Sequence, residues 1–395
     1  MSVRTKRVDN KFIIDGCLFA EDDLRITNRK LQTADNVLSA LSCILFCCLM
    51  SVATLFFAGC SAEQKVDNTH IDLYVDAVTL AEHSERKKAI KKLNSAVQIN
   101  ESFSLAYSLL GEIYQEIQDY ERSAASYEKA TELNPWSFND HFNLGRVYQL
   151  MKKFAQAVRA YSRACELKPE HLEAHLNSGR CYYEIQDYQN ALLYVERAEH
   201  INPNTAEVQK ILGDVYGSQK DYELAISSYK RSLEIDSGNS AVMASLAVAY
   251  LNTNRNEPAK VLLETVLQIQ PDSRTANQYL GYCYLQLYSQ AVELYKKASQ
   301  TDIQEPDIIA SLKEKADKIL HQAAESYSRA IELNDKDWEA LRGLGVAYML
   351  RARRDKDNAL KGKALEQWRR SLEINPQQPE RERLLKLIAY YSKQE

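Results

Sequence analysis

Glycine and proline are scarce in this sequence, with 12 and 8 copies in 395 residues. Both residues interrupt regular structure, so their scarcity argues against a turn-rich fold and favours long helices joined by short connections. A strong charge of one sign is also lacking, because 50 Lys and Arg residues face 54 Asp and Glu residues for a net charge of −4. This balance excludes a general electrostatic attraction to nucleic acid.

The positions of the cysteines exclude a disulfide framework. Five of the eight precede or begin the part of the chain that should be soluble: Cys17, Cys43, Cys47, Cys48 and Cys60. The other three, Cys165, Cys181 and Cys283, form an odd set without the spacing of metal ligands. We expect each of these three to be a small buried side chain on a helix.

Motifs for catalysis and cofactor binding are missing as well. The sequence has no glycine-rich phosphate loop, no nucleophile elbow and no CxxC pair. His171 and His175 flank Glu173, and His141 lies further upstream, but structural roles are favoured over a metal site. We therefore predict that the protein is not an enzyme and has no catalytic residues, metal, cofactor or small-molecule substrate.

The sequence does contain a pattern that returns at a fixed period, roughly 34 residues. Residues 104–137 carry two amphipathic helical patterns, separated by a polar turn at Gln118 and Asp119 and closed by Pro135. The phase holds over six consecutive windows, in which a small residue of the first helix recurs at Ala77, Gly111, Gly145, Gly179, Gly213 and Ala247. An aromatic residue follows three positions later at Tyr114, Tyr148, Tyr182, Tyr216 and Tyr250. Such a fixed period is the signature of a solenoid.

This pattern resembles the tetratricopeptide repeat (TPR) family over residues 71–376, although the tryptophan usual in the first helix is missing. The resemblance implies an all-α fold, namely a right-handed α-solenoid of about eight TPR helical hairpins with a C-terminal capping helix. A hydrophobic signal or anchor segment would precede it. Proteins of this family bind protein or peptide partners in a concave groove, so the resemblance implies binding and little more.

The predicted repeats are regular up to residue 273. Six of them occupy residues 70–273, and the eighth occupies residues 337–376. The eighth has several extra residues around a basic run, Arg351, Arg353 and Arg354, which we interpret as a solvated helix end. Residues 377–395 are predicted to form the capping helix.

The seventh repeat, residues 274–336, contains an insertion between Tyr284 and Ala323. We interpret it as an equal lengthening of both helices of one hairpin; the alternative is a separate short helix over residues 288–299. The tip of the long hairpin should stand about 22 Å beyond its neighbours, at a rise of about 1.5 Å per residue. Because no neighbouring repeat should cover it, we expect Tyr288 and Tyr295 to remain exposed as a docking surface.

The groove residues follow from the family's usual ligand positions, the second, fifth, sixth and ninth of each repeat. For the third to fifth repeats the resemblance implies a peptide-binding groove formed by Asn143, Arg146, Asn177, Arg180 and Lys210, with Asp214 at the ninth position of the fifth. Asparagine can bond the backbone of an extended peptide, and arginine forks favour a carboxylate. The alternative is that these positions form a generic solvated helix face.

The N-terminal region indicates attachment to a membrane. Residues 1–36 are polar and are predicted to be a cytoplasmic segment or the n-region of a signal. Residues 37–59 form an uncharged apolar run long enough to cross a bilayer, as a signal or a transmembrane segment. The run ends in Ala58, Gly59 and Cys60, which resembles the lipobox of bacterial lipoproteins and implies lipid attachment at Cys60 after loss of residues 1–59. The alternative is an uncleaved signal anchor that makes a single-pass membrane protein. With lipid attachment, residues 60–69 would contain the attachment site and a linker.

Both alternatives place the repeats on the periplasmic side of a membrane, either the outer or the cytoplasmic one. We therefore expect a membrane-tethered scaffold for protein–protein interactions in assembly of a bacterial envelope machine, of the pilus-assembly or polysaccharide-export type. A non-catalytic regulator or adaptor of a cell-wall enzyme is the alternative function. No nucleic-acid partner is expected.

Overall fold

The computed structural model describes residues 6–8, 11–14, 17–20, 68–300 and 306–393. The chain divides into two units, Met1–Asn68 and Thr69–Glu395. The described part of the first unit is an antiparallel sheet of three short strands, β1 (Lys6–Val8), β2 (Lys11–Ile14) and β3 (Cys17–Ala20), in the order β1-β2-β3. These strands were not expected from the sequence.

Cys60 and the apolar run of residues 37–59 lie outside the described residues, so lipid attachment and anchoring stay predictions. Among the helices that the structure describes, none combines the length and the apolar character needed to cross a bilayer.

The second unit is helical throughout its described residues. Its helices are α1 (Thr69–Glu82), α2 (Arg86–Ile99), α3 (Ser104–Glu116), α4 (Tyr120–Leu133), α5 (Phe138–Leu150), α6 (Phe154–Leu167), α7 (Leu172–Glu184), α8 (Tyr188–Ile201), α9 (Ala206–Gln219), α10 (Tyr222–Ile235), α11 (Ser240–Asn252), α12 (Asn256–Ile269), α13 (Arg274–Ser299), α14 (Pro306–Leu333), α15 (Trp338–Asp355), α16 (Asn358–Ile374) and α17 (Arg381–Ser392).

These helices form an α-solenoid, which confirms the predicted fold class. Helices α1 to α16 pair into eight hairpins, each hairpin packs against the next, and α17 packs on α16 at the end. The first helices of several successive hairpins also contact one another. Each interface therefore involves sequence neighbours only, as in other repeat proteins.

A contact between a glycine and an aromatic ring closes most hairpins. A Cβ atom added to Gly213 would lie 2.5 Å from the ring of Tyr229, so only glycine lets the two helices approach this closely. In the seventh hairpin Gly281 meets Tyr327 in the same way, at 2.8 Å. The chain between these two partners includes the insertion and is much longer, yet the packing contact is the same.

The turns inside the regular hairpins explain how the chain manages with little glycine. A residue just after each first helix adopts a left-handed backbone conformation, namely Ser84, Gln118, Lys152, Gln186, Lys220 and Asn254, one in each regular hairpin. Glycine adopts this conformation at little cost, whereas other residues are less favoured there. The turns therefore share one geometry even though none of them has glycine, the residue that this conformation favours most.

The seventh hairpin consists of two unusually long helices. Helix α13 has 26 residues and α14 has 28, against 13 or 14 for the helices of the regular hairpins. Because α13 continues to Ser299, the alternative of a separate short helix at residues 288–299 is wrong.

The eighth hairpin covers the lower part of this extension, contrary to our expectation. Arg354, at the end of the 18-residue helix α15, pairs with Asp317 of α14. Leu287 and Ala291 of α13 are buried. The basic run is therefore not only a solvated helix end, because the guanidinium of Arg354 links the eighth hairpin to the long seventh hairpin.

Candidate functional site

The five predicted groove residues all lie on first helices, but three of them are tied together by polar contacts. Arg180 donates to Asn177 Oδ1 at 3.3 Å and to Glu207 Oε1 at 2.7 Å. Lys210 Nζ lies 3.4 Å from the same Glu207 oxygen and 3.8 Å from Asp214 Oδ2. Because Arg180 already holds a carboxylate of this chain, it is less available to a ligand than the sequence suggested.

Arg146 differs from Arg180 in its partners. Its Nη2 donates to the neutral amide oxygen of Gln115 at 3.1 Å, and no described carboxylate lies within ion-pair distance. The side chain is exposed and faces Tyr127, beside Asn143. Burial raises the pKa of Tyr127, and Arg146 counteracts part of this rise. Arg146 is therefore the arginine of the predicted pair that can receive an external carboxylate.

Asp214 is a largely enclosed acidic residue of the groove, with a side chain that is 23% exposed. Tyr229 Oη donates a hydrogen bond to its Oδ1 at 2.7 Å. Burial raises the pKa of Asp214 above its ordinary value, although the Tyr229 hydrogen bond and Lys210 both lower it. The carboxylate is held in place by the ring that fills the Gly213 contact, so the packing of this hairpin also positions its acid.

A cavity of about 420 Å³ opens beside this carboxylate, and we name it the Asp214 cavity. Four tyrosines and several small hydroxyl side chains form much of its wall. Its lining comprises Tyr183, Asp214, Gly217, Ser218, Tyr222, Tyr229, Ala244, Ser245, Val248, Ala249, Asn252, Thr275 and Tyr279. Asp214 is the one side chain of this lining that carries a formal charge.

A second cavity of about 570 Å³ adjoins it, and we name it the apolar cavity. The first helices of the last three hairpins and the capping helix enclose it. Its lining comprises Val248, Leu251, Asn252, Gln278, Tyr279, Tyr282, Leu285, Tyr327, Glu339, Arg342, Gly343, Val346, Trp368, Glu380, Arg383, Leu384 and Leu387. Val248, Asn252 and Tyr279 line both cavities, so the two cavities are direct neighbours.

The charged residues of the apolar cavity are engaged at its rim. Arg342 donates to the backbone oxygen of Pro379 at 3.1 Å and stacks over Trp338, 5.2 Å from the ring centroid. Glu339 accepts a hydrogen bond from Gln278 at 2.5 Å. The remaining surface is mainly aromatic and aliphatic, which suits a bulky apolar side chain.

These cavities were missed because the family's ligand positions were applied only to the third to fifth repeats. The same four positions in the seventh repeat are Thr275, Gln278, Tyr279 and Tyr282, and all four line a cavity. In the eighth repeat, counted from Trp338 where α15 begins, they are Glu339, Arg342, Gly343 and Val346, and these also line one. The signal was therefore present in the sequence.

The two tyrosines of the predicted docking surface are less exposed than the sequence suggested. Tyr288 and Tyr295 are half-buried, and burial raises the pKa of Tyr288. The exposed apolar side chains at this end are Leu294 and Ile308, which are 56% and 50% exposed. Tyr288 packs against the hydrophobic core, and Arg353 and Arg354 at the end of α15 lie close enough to act on its pKa. The role of the two tyrosines in docking stays a prediction.

The histidines have local structural partners. His175 Nε2 lies 2.8 Å from the backbone oxygen of Pro169, and His141 Nε2 lies 3.2 Å from that of Pro135. His171 caps α7, accepting a hydrogen bond from the amide of Ala174 at 3.2 Å. Within residues 68–300 and 306–393, no group of three or more potential ligands could hold a metal ion.

The three cysteines of the solenoid are buried and free, as predicted. Burial raises the pKa of the Cys165 thiol to about 11 and that of the Cys181 and Cys283 thiols to about 12. These thiols therefore stay protonated at neutral pH and pack as small apolar side chains.

The fold and the groove together define a protein of the TPR class, whose members bind peptide or protein partners in such a groove. Two family models match the chain: "Cilia and flagella-associated protein 70 C-terminal domain" over residues 61–314, and "Tetratricopeptide repeat" over residues 315–379. Because the first model matches more than half of the chain, the chain belongs to this TPR family. No match was found among curated proteins.

Several solved structures have a similar fold. YrrB, described as a TPR protein with an unusual peptide-binding site, is 23% identical with a TM-score of 0.42, over 47% of this chain and 95% of its own. A TPR protein from Parabacteroides merdae is 15% identical with a TM-score of 0.47, over 71% and 99%. PilF from Pseudomonas aeruginosa is 17% identical with a TM-score of 0.43, over 54% and 97%. These similarities concern the fold alone.

Proposed function

We propose that this protein is a non-catalytic scaffold that binds an extended segment of a partner protein in its inner groove. The observation that carries this proposal is the pair of neighbouring cavities on the first helices, the Asp214 cavity and the apolar cavity. Concave sites with mostly apolar walls and a few fixed polar groups are typical binding sites.

The apolar cavity would hold the main anchor of the partner. Tyr282, which is 45% exposed, lines this cavity together with the capping-helix residues Leu384 and Leu387. Aromatic side chains in a pocket of this kind often provide most of the binding energy of an interface. Because α17 forms one wall, the capping helix would have a binding role besides protecting the end of the solenoid.

Photo-crosslinking tests the groove assignment. A photoreactive phenylalanine analogue at Tyr282 should crosslink a partner protein in intact cells. The control position is Leu224, which is also exposed but lies on the second helix of the fifth hairpin. Strong crosslinking from position 282 and little from position 224 is expected. Equal crosslinking from both positions would contradict a groove-specific interaction.

We also propose that Cys60 tethers this scaffold to the periplasmic side of a membrane, where it serves assembly of an envelope machine of the pilus-assembly or polysaccharide-export type. Support comes from the sequence Ala58-Gly59-Cys60 at the end of an uncharged run. The partners crosslinked at position 282 would test the machine: secretin or pilus components support it, and a cell-wall enzyme contradicts it in favour of an adaptor role.

The mass of the intact, membrane-extracted protein tests the tether. Loss of residues 1–59 with an added lipid mass on Cys60 is expected. A full-length mass that does not change in Cys60→Ser would contradict lipid attachment and support an uncleaved signal anchor.

A further inference from the structure

The Asp214 cavity is negatively charged, whereas the predicted groove arginines would have made the site positively charged. Asp214 carries the one formal charge among its lining residues, and its side chain is 23% exposed. The wall around it consists mainly of uncharged hydroxyl and aromatic groups. A ligand group that enters this space therefore meets a negative charge and no lining cation.

The carboxylate retains an oxygen for a ligand. Oδ1 accepts the Tyr229 hydrogen bond, whereas Oδ2 lies 3.8 Å from Lys210 Nζ, beyond hydrogen-bond distance. Lys210 lies closer to Glu207, at 3.4 Å, so its charge is shared between two carboxylates. The negative charge of Asp214 is thus only partly compensated by the protein itself.

The tyrosines of this cavity suit a cation as well. Tyr183, Tyr222 and Tyr279 come from three different hairpins, the fourth, fifth and seventh, and line the space around the carboxylate. The faces of aromatic rings attract ammonium and guanidinium groups, and this attraction adds to that of a carboxylate. An acidic group would instead be repelled by Asp214 and would find no cation among the residues that line the cavity.

From this arrangement we infer that the Asp214 cavity receives the side chain of a Lys or Arg residue in the partner segment. This inference rests on the proposed groove binding and specifies its ligand. Because the adjoining apolar cavity shares Val248, Asn252 and Tyr279 with it, the cation lies close in the partner sequence to a bulky apolar residue. Side chains two residues apart in an extended segment point to the same side.

Peptide libraries can test this preference on the full chain. The probes are capped decapeptides with degenerate positions around one fixed central residue, which is Arg, Glu or Leu. We expect the immobilised protein to retain the Arg library at least tenfold more than the Glu library. Asp214→Asn should remove this preference, whereas the control Glu234→Gln, an exposed acid of the same hairpin, should keep it.

A second variant covers the possibility that Asp214→Asn disturbs the Tyr229 contact. Thr275 lines the same cavity and is exposed, so Thr275→Lys would supply a tethered cation and should also remove the preference for Arg. Retention of the Glu library over the Arg library, or equal retention of both by the unmodified protein, would overturn the inference while leaving groove binding intact. Retention of no library, together with no crosslink at position 282, would overturn the proposed function as well.

Discussion

The six regular repeats and the two extended repeats share one packing rule but differ in what their inner surface offers. In the regular repeats the groove arginine Arg180 is bound to Glu207 of the next hairpin. In the extended repeats Tyr279 and Tyr282 line open cavities. Charged groove residues thus link neighbouring repeats where the array is uniform, whereas the larger of the two cavities lies where the array is irregular and meets its capping helix.

Overpacking the glycine contacts should produce the largest effect and test whether both kinds of repeat follow the same rule. A Cβ at Gly179 would collide with Val195 Cγ2, and one at Gly281 would lie 2.8 Å from the Tyr327 ring. Gly179→Leu and Gly281→Leu should each destabilise the solenoid by about 1–3 kcal/mol or more, because the core has to shift. Thermal unfolding followed by circular dichroism measures this.

The matched control is Gly362→Leu. A Cβ at Gly362 meets no atom within 4 Å, and the residue lies inside α16. Leucine is the better helix former there by up to about 1 kcal/mol, so this variant should melt at or above the temperature of the unmodified protein. If Gly281→Leu also melts at or above the temperature of the unmodified protein, the extended hairpin does not depend on the glycine contact.

Replacing a left-handed turn residue by glycine should have a smaller and opposite effect. Gln186 has φ 63° in a regular hairpin, and Lys356 has φ 54° in the eighth. Gln186→Gly and Lys356→Gly should each stabilise the protein by at most about 1 kcal/mol, since glycine adopts this conformation more easily. Urea unfolding would show it. A lower urea midpoint for either variant would mean that the original side chain stabilises the protein by more than the left-handed conformation destabilises it.

A pH effect confined to the regular repeats should be the smallest. Burial lowers the pKa of His175 below its ordinary value of 6.5, and its Nδ1 is buried without a hydrogen-bond partner among the described residues. The unfolded chain therefore binds this proton at higher pH than the folded chain, so stability is lost as the pH falls through 6.5. The same repeat position holds Asn277 and Leu341 in the extended repeats, which do not titrate.

The test is the pH dependence of the melting temperature in His175→Gln, which copies Gln209 of the next repeat. Its melting temperature should fall less between pH 7.5 and 5.5 than that of the unmodified protein. An identical pH dependence in the variant and the unmodified protein would show that His175 does not contribute.

The sequence was sufficient for the solenoid because its packing contacts repeat at a fixed distance along the chain. The phase of the repeat aligned Gly281 with Gly213 across an insertion, whereas the contact of each with a second-helix tyrosine, Tyr327 or Tyr229, is seen only in the structure. Such contacts involve neighbouring helices only, so local pattern and tertiary structure agree.

The state of the groove residues was harder to predict. Arg180 and Lys210 were at suitable positions, but whether a long side chain meets a ligand or Glu207 depends on its rotamer and on the neighbouring hairpin. The half-burial of Tyr288 likewise depends on the length of α15, which brings Arg354 to Asp317. A periodic pattern specifies which face a residue occupies, but not which partner its side chain selects.

The most direct measurement of the central claim compares two groove variants for binding to the partner crosslinked at position 282. Tyr282→Ala should weaken binding at least tenfold, which is about 1.4 kcal/mol. Arg180→Ala should change it less than threefold, because Arg180 is already paired with Glu207. Both should melt within a few degrees of the unmodified protein, since both side chains are at the surface. A large loss of affinity in Arg180→Ala, with none in Tyr282→Ala, would contradict the assignment of the partner's main anchor to the apolar cavity.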